Sequence, residues 1–184
     1  MGGCPGVLDG PYDRLAGHGG EVPVVSSATP YACGLACLES LARERGAAFD
    51  HAAFIMEQGS RFPGWDRMPG VTRLDISQVG GIWTLRWDLY DLARELGLAR
   101  SLSEFRTRPP LEAFLGRVGS SAFAVLKRYP EADDGFTHAH AVRIVRSEGP
   151  DLAVMDPGRR LPGRIRELCW EEFRGWEPRV FGMS

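Results

Sequence analysis

The stretch HAHAVRIVRSEGPDLAVMDPG, residues 138–158, decides how this chain folds. Two short runs bearing Val, Ile and Leu flank SEGP, with Glu148 and Gly149 near a turn, so the segment reads as two antiparallel strands joined as a hairpin. Pro157 and Gly158 are a turn signal that closes the second strand and leaves Asp156 at its end. Alternation along the first strand puts His138 and His140 on one face. His140 and Asp156 both lie far from the turn, sixteen positions apart, so the hairpin is expected to bring the imidazole and the carboxylate together.

Working outward, SAFAVLK at 121–127 is a further strand-like run. Upstream of it the period changes. In SATPYACGLACLESLARERG, residues 27–46, Leu35, Leu38, Leu41 and Ala42 recur at helical spacing from Tyr31 onward, and Gly46 stands where a C-terminal cap belongs. HAAFIMEQ (51–58) reads as a short second helix and WTLRWDLYDLARELG (83–97) as a third, ended by Gly97. PPLEAFLGRVG (109–119) reads as a fourth, and the Gly- and Pro-punctuated stretch 61–81 as a connection. VPVV at 22–25 is the first strand-like piece, and residues 1–21 form a Gly-rich leader without periodicity. Helices early and strands late predict an α+β fold, with one domain over 22–184.

Composition narrows the partners. A chain of 184 residues with 43% hydrophobic content is large enough for one proper core, and 22 Lys+Arg against 24 Asp+Glu give a net charge of −2. That charge disfavours nucleic acid and anionic membranes, which need a basic field. The N-terminal stretch has neither the basic region nor the apolar run of a secretory signal, and no window reaches a membrane span, so a cytoplasmic location is expected. Four cysteines (Cys4, Cys33, Cys37, Cys169) then read as thiols rather than a disulfide framework.

One thiol has a chemical context. Cys33 falls in the first turn of the predicted helix, where unsatisfied backbone N–H groups and the positive end of the macrodipole favour thiolate. Cys37, one turn on and flanked by Leu35, Ala36 and Leu38, reads as a small core residue. With His140 as base and Asp156 fixing its tautomer, Cys33, His140 and Asp156 form a candidate triad for nucleophilic acyl chemistry through a covalent thioester. The bland alternative is a core cysteine, a satisfied strand histidine and a turn aspartate.

YACGLACLESLARERG followed by HAVRIV and DLAVMDPG resembles the papain-like bacteriocin-processing cysteine peptidases, which cleave double-glycine leaders. Their nucleophile opens a Cys-Gly-Leu/Pro-Ala-Cys/Ala-Leu helix, and their His and Asp-Pro lie on consecutive strands. The resemblance covers roughly residues 22–178 and implies a papain-like fold, with N-terminal helices packed on a C-terminal antiparallel sheet. It puts Cys33, His140 and Asp156 in the triad positions and implies no cofactor. GGIWTLRWDLYDLARELG is more weakly similar to the guanylyl cyclase-like branch of that fold, but a Gly-rich phosphate cradle, a basic cluster and paired metal-binding aspartates are all missing.

Two positions depart from the family pattern. Ala32 stands where an acidic or polar residue usually precedes the nucleophile, and Ser27 stands where a glutamine about six residues upstream of the cysteine donates to the oxyanion. A well-placed donor is worth about 3–4 kcal/mol to the transition state. Either Ser27 or another group, such as Gln78, supplies the hydrogen bond, or the acyl donor is more reactive than a peptide. The expected substrate is therefore a peptide or an acyl thioester, free or carried on a protein, with hydrolysis, transfer and cyclisation all open. Trp83, at a loop-to-helix junction, is the expected wall of a substrate groove. Two other classes compete: zinc held by Cys33, Cys37, His138 and His140, and a non-catalytic peptide-binding module on a degenerate peptidase fold.

Overall fold

The computed structural model describes residues 22–28, 32–54, 82–128, 140–148, 151–158 and 162–184, and for 82–88 the backbone. The expected leader, the 61–81 connection, Gln78 and His138 lie outside the described residues, as does the side chain of Trp83. In chain order the elements are α1 (Cys33–Glu44), α2 (Ile82–Glu95), β1 (Leu102–Phe105), α3 (Arg108–Leu115), β2 (Ser121–Leu126), β3 (His140–Glu148), β4 (Asp151–Asp156), β5 (Arg164–Cys169), α4 (Trp170–Gly175) and β6 (Pro178–Met183).

The fold is α+β. Six strands form one sheet in the order β1-β6-β2-β3-β4-β5, with every pairing antiparallel. Strand alternation gives the sheet two apolar faces. Phe123, Val125, Ala141, Ala153 and Met155 meet Leu35, Leu38 and Leu41 of α1 and Leu89 and Ala93 of α2 on one side. Ala124, Leu126, Val142, Ile144 and Val154 meet Leu111 of α3 and Phe173 of α4 on the other. The N-terminal helices thus cover one face as expected, while α3, expected from PPLEAFLGRVG, and α4, which the sequence does not signal, cover the second.

Helix α1 is tied to β3 by polar bonds as well as packing. The buried Arg143 donates to Ser40 Oγ (3.0 Å) and to Glu44, and Ser40 donates to the carbonyl of Pro23 (2.6 Å). Burial lowers the Arg143 pKa to about 10, which still leaves the guanidinium charged at neutral pH. Arg45, just past the helix, reaches the carbonyls of Leu98 and Gly119, and Gly46 turns the chain away at φ 69°. Residues 22–25, expected as a strand, form no ladder. Pro23 has no N–H to give, and 22–28 is held as an extended strap by single bonds, Ser27 N to Pro157 O (2.8 Å) and Gly163 N to Ser26 Oγ (2.8 Å). Gly163 admits this approach because a Cβ there would lie 2.6 Å from the Val25 carbonyl oxygen.

Among the described residues no helix is long and apolar enough to cross a membrane.

Candidate active site

The hairpin forms as the sequence predicts, with Glu148 paired to Asp151 at its turn, but a bulge intervenes. The register shifts between Ile144 and Arg146, so that Arg143 pairs with Met155. This one-residue slip decides the site. Carried unbroken from the turn, the register would set Asp156 opposite Arg143, on the α1 face, with His140 on the other. The bulge at Val145 restores the parity, and Asp156 shares its side with Val142 and His140.

The His140 Nε2 and Asp156 Oδ1 then stand 2.8 Å apart, both side chains essentially buried. Asp156 is itself held. Its Oδ1 also accepts from the Gly158 amide (2.9 Å), which the turn after Pro157 aims back at it, and its Oδ2 accepts from Arg166 Nη1 (3.4 Å). Arg166 comes from β5 and lies 5.1 Å over the Trp176 ring, a cation–π contact that steadies the guanidinium.

The third partner arrives from α1. Its first intrahelical bond runs from Ala36 N to Ala32 O, so the amides of Cys33, Gly34 and Leu35 lie outside the helical ladder at the positive end of the dipole. Ala32 provides no side-chain cap and the first turn carries no acid, so the thiol has no competing anion there. The Cys33 sulfur is close enough to the His140 ring to raise its pKa, and it accepts the Ala141 amide at 3.3 Å. With Nε2 committed to Asp156, Nδ1 is the ring nitrogen that can exchange a proton with the sulfur.

These contacts set the protonation state. Burial lowers the His140 pKa, but the hydrogen bonds and charges of Asp156 and Cys33 outweigh it and raise the pKa to about 9. At neutral pH the imidazole is cationic, with a carboxylate on one nitrogen and the Cys33 sulfur beside the ring. Cys37, equally buried, has different partners. Burial pushes its pKa well above the ordinary value, Cys33 and Asp156 add to the rise, and its S–H donates to the Ala141 carbonyl (3.6 Å). Ala141 of β3 therefore serves both cysteines, accepting from the Cys37 thiol through its carbonyl and donating to the Cys33 sulfur through its amide.

Ser27 is placed beside this centre by its backbone, one strap residue bonded to Pro157, which follows Asp156. The next residue is also gripped. The Ala28 amide donates to His51 Nε2 (2.9 Å), His51 Nδ1 faces Glu39 Oε2 (2.5 Å), and Glu39 pairs with Arg43. His51 and Glu39 are buried, at 5% and 2% exposure, so each depends on the other and on the strap rather than on water for its polar partners. Sequence reasoning misses this pair, Arg166 and the Ala141 amide. A glutamate on the apolar side of an amphipathic helix is a signal that could have found the first, whereas RIRELC looks like a solvated edge and offers none.

Of the four residues weighed as zinc ligands, His138 lies outside the described residues, and among the described residues no three ligating side chains gather as a metal site. No protein-family model and no curated protein matches the chain.

Proposed function

We propose that the chain is a papain-like enzyme of cysteine-dependent acyl chemistry, which takes an acyl group from a peptide, amide or thioester onto Cys33 and passes it to water or to another nucleophile. The observation that carries the reading is the chain of contacts Cys33, His140, Asp156, made by side chains from a helix start and two strands more than a hundred residues downstream of it. Cys33 sulfur attacks the carbonyl carbon, and the carbonyl oxygen becomes an oxyanion beside the Cys33 amide at the start of α1. His140 gives its Nδ1 proton to the leaving group, the C–X bond breaks, and the acyl group remains as a thioester on Cys33. An acceptor then attacks that thioester while His140 takes up its proton, and the C–S bond breaks to release the acyl product and return Cys33 as the thiolate, with Asp156 holding the ring throughout.

Within this chemistry, a thioester donor is favoured over a peptide bond. Ser27 is a shorter donor than the family's glutamine, and a thioester needs less help from an oxyanion hole than an amide does. The burial of Cys33 and His140, 1% and 0% exposed, supports transfer to a bound acceptor over hydrolysis, because it keeps bulk water from the acyl-enzyme. Turnover of a small acyl thioester by paired variants tests the assignment of the base. His140→Ala should lose about two to four orders of magnitude in kcat, the usual worth of a general acid–base, and His138→Ala should keep most of it. The reverse ranking would move the role to His138.

A further inference from the structure

On the sheet face away from α1, a cavity of about 590 Å³ opens between the start of α3, helix α4 and strands β1 and β6. That volume suits a drug-sized molecule. Its apolar lining is Phe105, Leu111, Val180 and the ring of Trp170. Its charges are Arg106, Arg108, Arg174 and Arg179 against Glu104 and Glu177. Glu177 is shared with Arg128 outside the cavity (2.8 Å), so its negative charge is already offset. In a chain of net charge −2, an excess of guanidinium around one apolar hollow is a local feature that an anionic guest would balance.

Two details narrow the guest. Arg108 lies 5.9 Å over the Trp170 ring with its Nε bonded to Glu112 (2.7 Å), which fixes the guanidinium against a flat apolar surface and leaves Arg106 and Arg174 as the cations for a guest. Thr107, the N-cap of α3, makes no side-chain cap bond and lines the same hollow, while Pro109 and Pro110 leave that helix start few amides to offer, so the arginines carry the positive charge there. Arginine forks match the paired oxygens of phosphate and carboxylate, and the indole and Phe105 match a ring. We propose that this cavity is a second binding site, independent of the thiol centre, for a small organic anion that carries a phosphate or carboxylate on a flat ring.

Titration calorimetry of the full chain with phenyl phosphate, inorganic phosphate and phenol tests the proposal. Phenyl phosphate should bind saturably at one site, about tenfold or more tighter than inorganic phosphate, with phenol silent and affinity falling as salt is added. Arg106→Ser and Arg174→Ser, both at exposed positions and checked by an unchanged melting temperature, should each weaken phenyl phosphate by about tenfold or more. Cys33→Ala should leave binding unchanged. Absence of saturable binding, equal affinity for the two phosphates, indifference to both arginine variants, or loss of binding in Cys33→Ala would each overturn the assignment.

Discussion

Replacing Asp156 by Asn keeps the shape of the side chain and removes its charge, and the structure fixes what that should do. His140 is held near a pKa of about 9 against a burial effect that alone would lower it, and Asp156 is the first of the groups that hold it up. Without the carboxylate, burial is opposed by Cys33 alone and the folded pKa falls toward the ordinary 6.5. A fall to 6.5 takes the imidazolium fraction at pH 7.5 from about 97% to about 9%, a loss of about tenfold in the charged imidazole. The assay is the pH profile of iodoacetamide alkylation of Cys33 in a Cys37→Ala background, with the intact mass as readout. The parent protein should alkylate through an ion pair that persists to about pH 9, and Asp156→Asn should react about tenfold more slowly at pH 7.5 and recover only as free thiolate forms at higher pH. Stability should follow the same linkage. A pKa raised on folding contributes stability that is complete below 6.5 and is lost as the pH rises through about 9, so urea unfolding of the parent should weaken over that window and unfolding of the variant should not. An Asp156→Asn alkylation profile that overlays the parent's would refute the role given to the carboxylate.

The other expectations are as specific. Limiting iodoacetamide at neutral pH should modify Cys33 before Cys37, whose thiol is buried with a raised pKa, and Cys37→Ser should retain acyl-transfer activity; peptide mapping and turnover assays read both. Ser27→Ala should slow acylation and leave alkylation of Cys33 unchanged, since alkylation builds no oxyanion, while Ser27→Gln should equal or exceed the parent in stopped-flow acylation. His51→Ala should strand the Ala28 amide and take one partner from the buried Glu39, costing about 1–3 kcal/mol in chemical denaturation. Because it also loosens the strap that carries Ser27, it should lower acylation more than it lowers alkylation.

The parts of this structure legible in the sequence are those fixed by local chemistry. A helix from Cys33 ended near Gly46, and a hairpin turning at Glu148, follow from periodicity and turn residues. The hidden parts depend on what lies across the fold. Strand β5 carries Arg164, Arg166 and Glu167 and reads as a solvated segment, yet Arg166 turns inward to meet Asp156 and Trp176. Strand β6 contains Gly182, which weakens a strand pattern, but a Cβ there would lie 2.3 Å from the Phe114 ring, so the glycine lets α3 close on the sheet. The strap at 22–25 reads as a strand because valine is β-favouring, but Pro23 has no N–H to give to a ladder. For the site, equal distance from the turn explains why His140 and Asp156 are neighbours in space. It does not explain their common face, which rests on the extra residue at Val145, and a bulge leaves no mark in the alternation of a run as short as AVRIV.

The central claim is that Cys33 carries an acyl group. Intact-mass spectrometry after incubation with a small acyl thioester, such as an acyl N-acetylcysteamine, tests it directly, with trapping at acid pH to preserve the adduct. One added acyl mass is expected, mapped to Cys33, absent in Cys33→Ala and formed about a hundredfold or more slowly in His140→Ala. An adduct on Cys37 or Cys169, or no adduct from any thioester or peptide while Cys33 remains alkylatable, would contradict it.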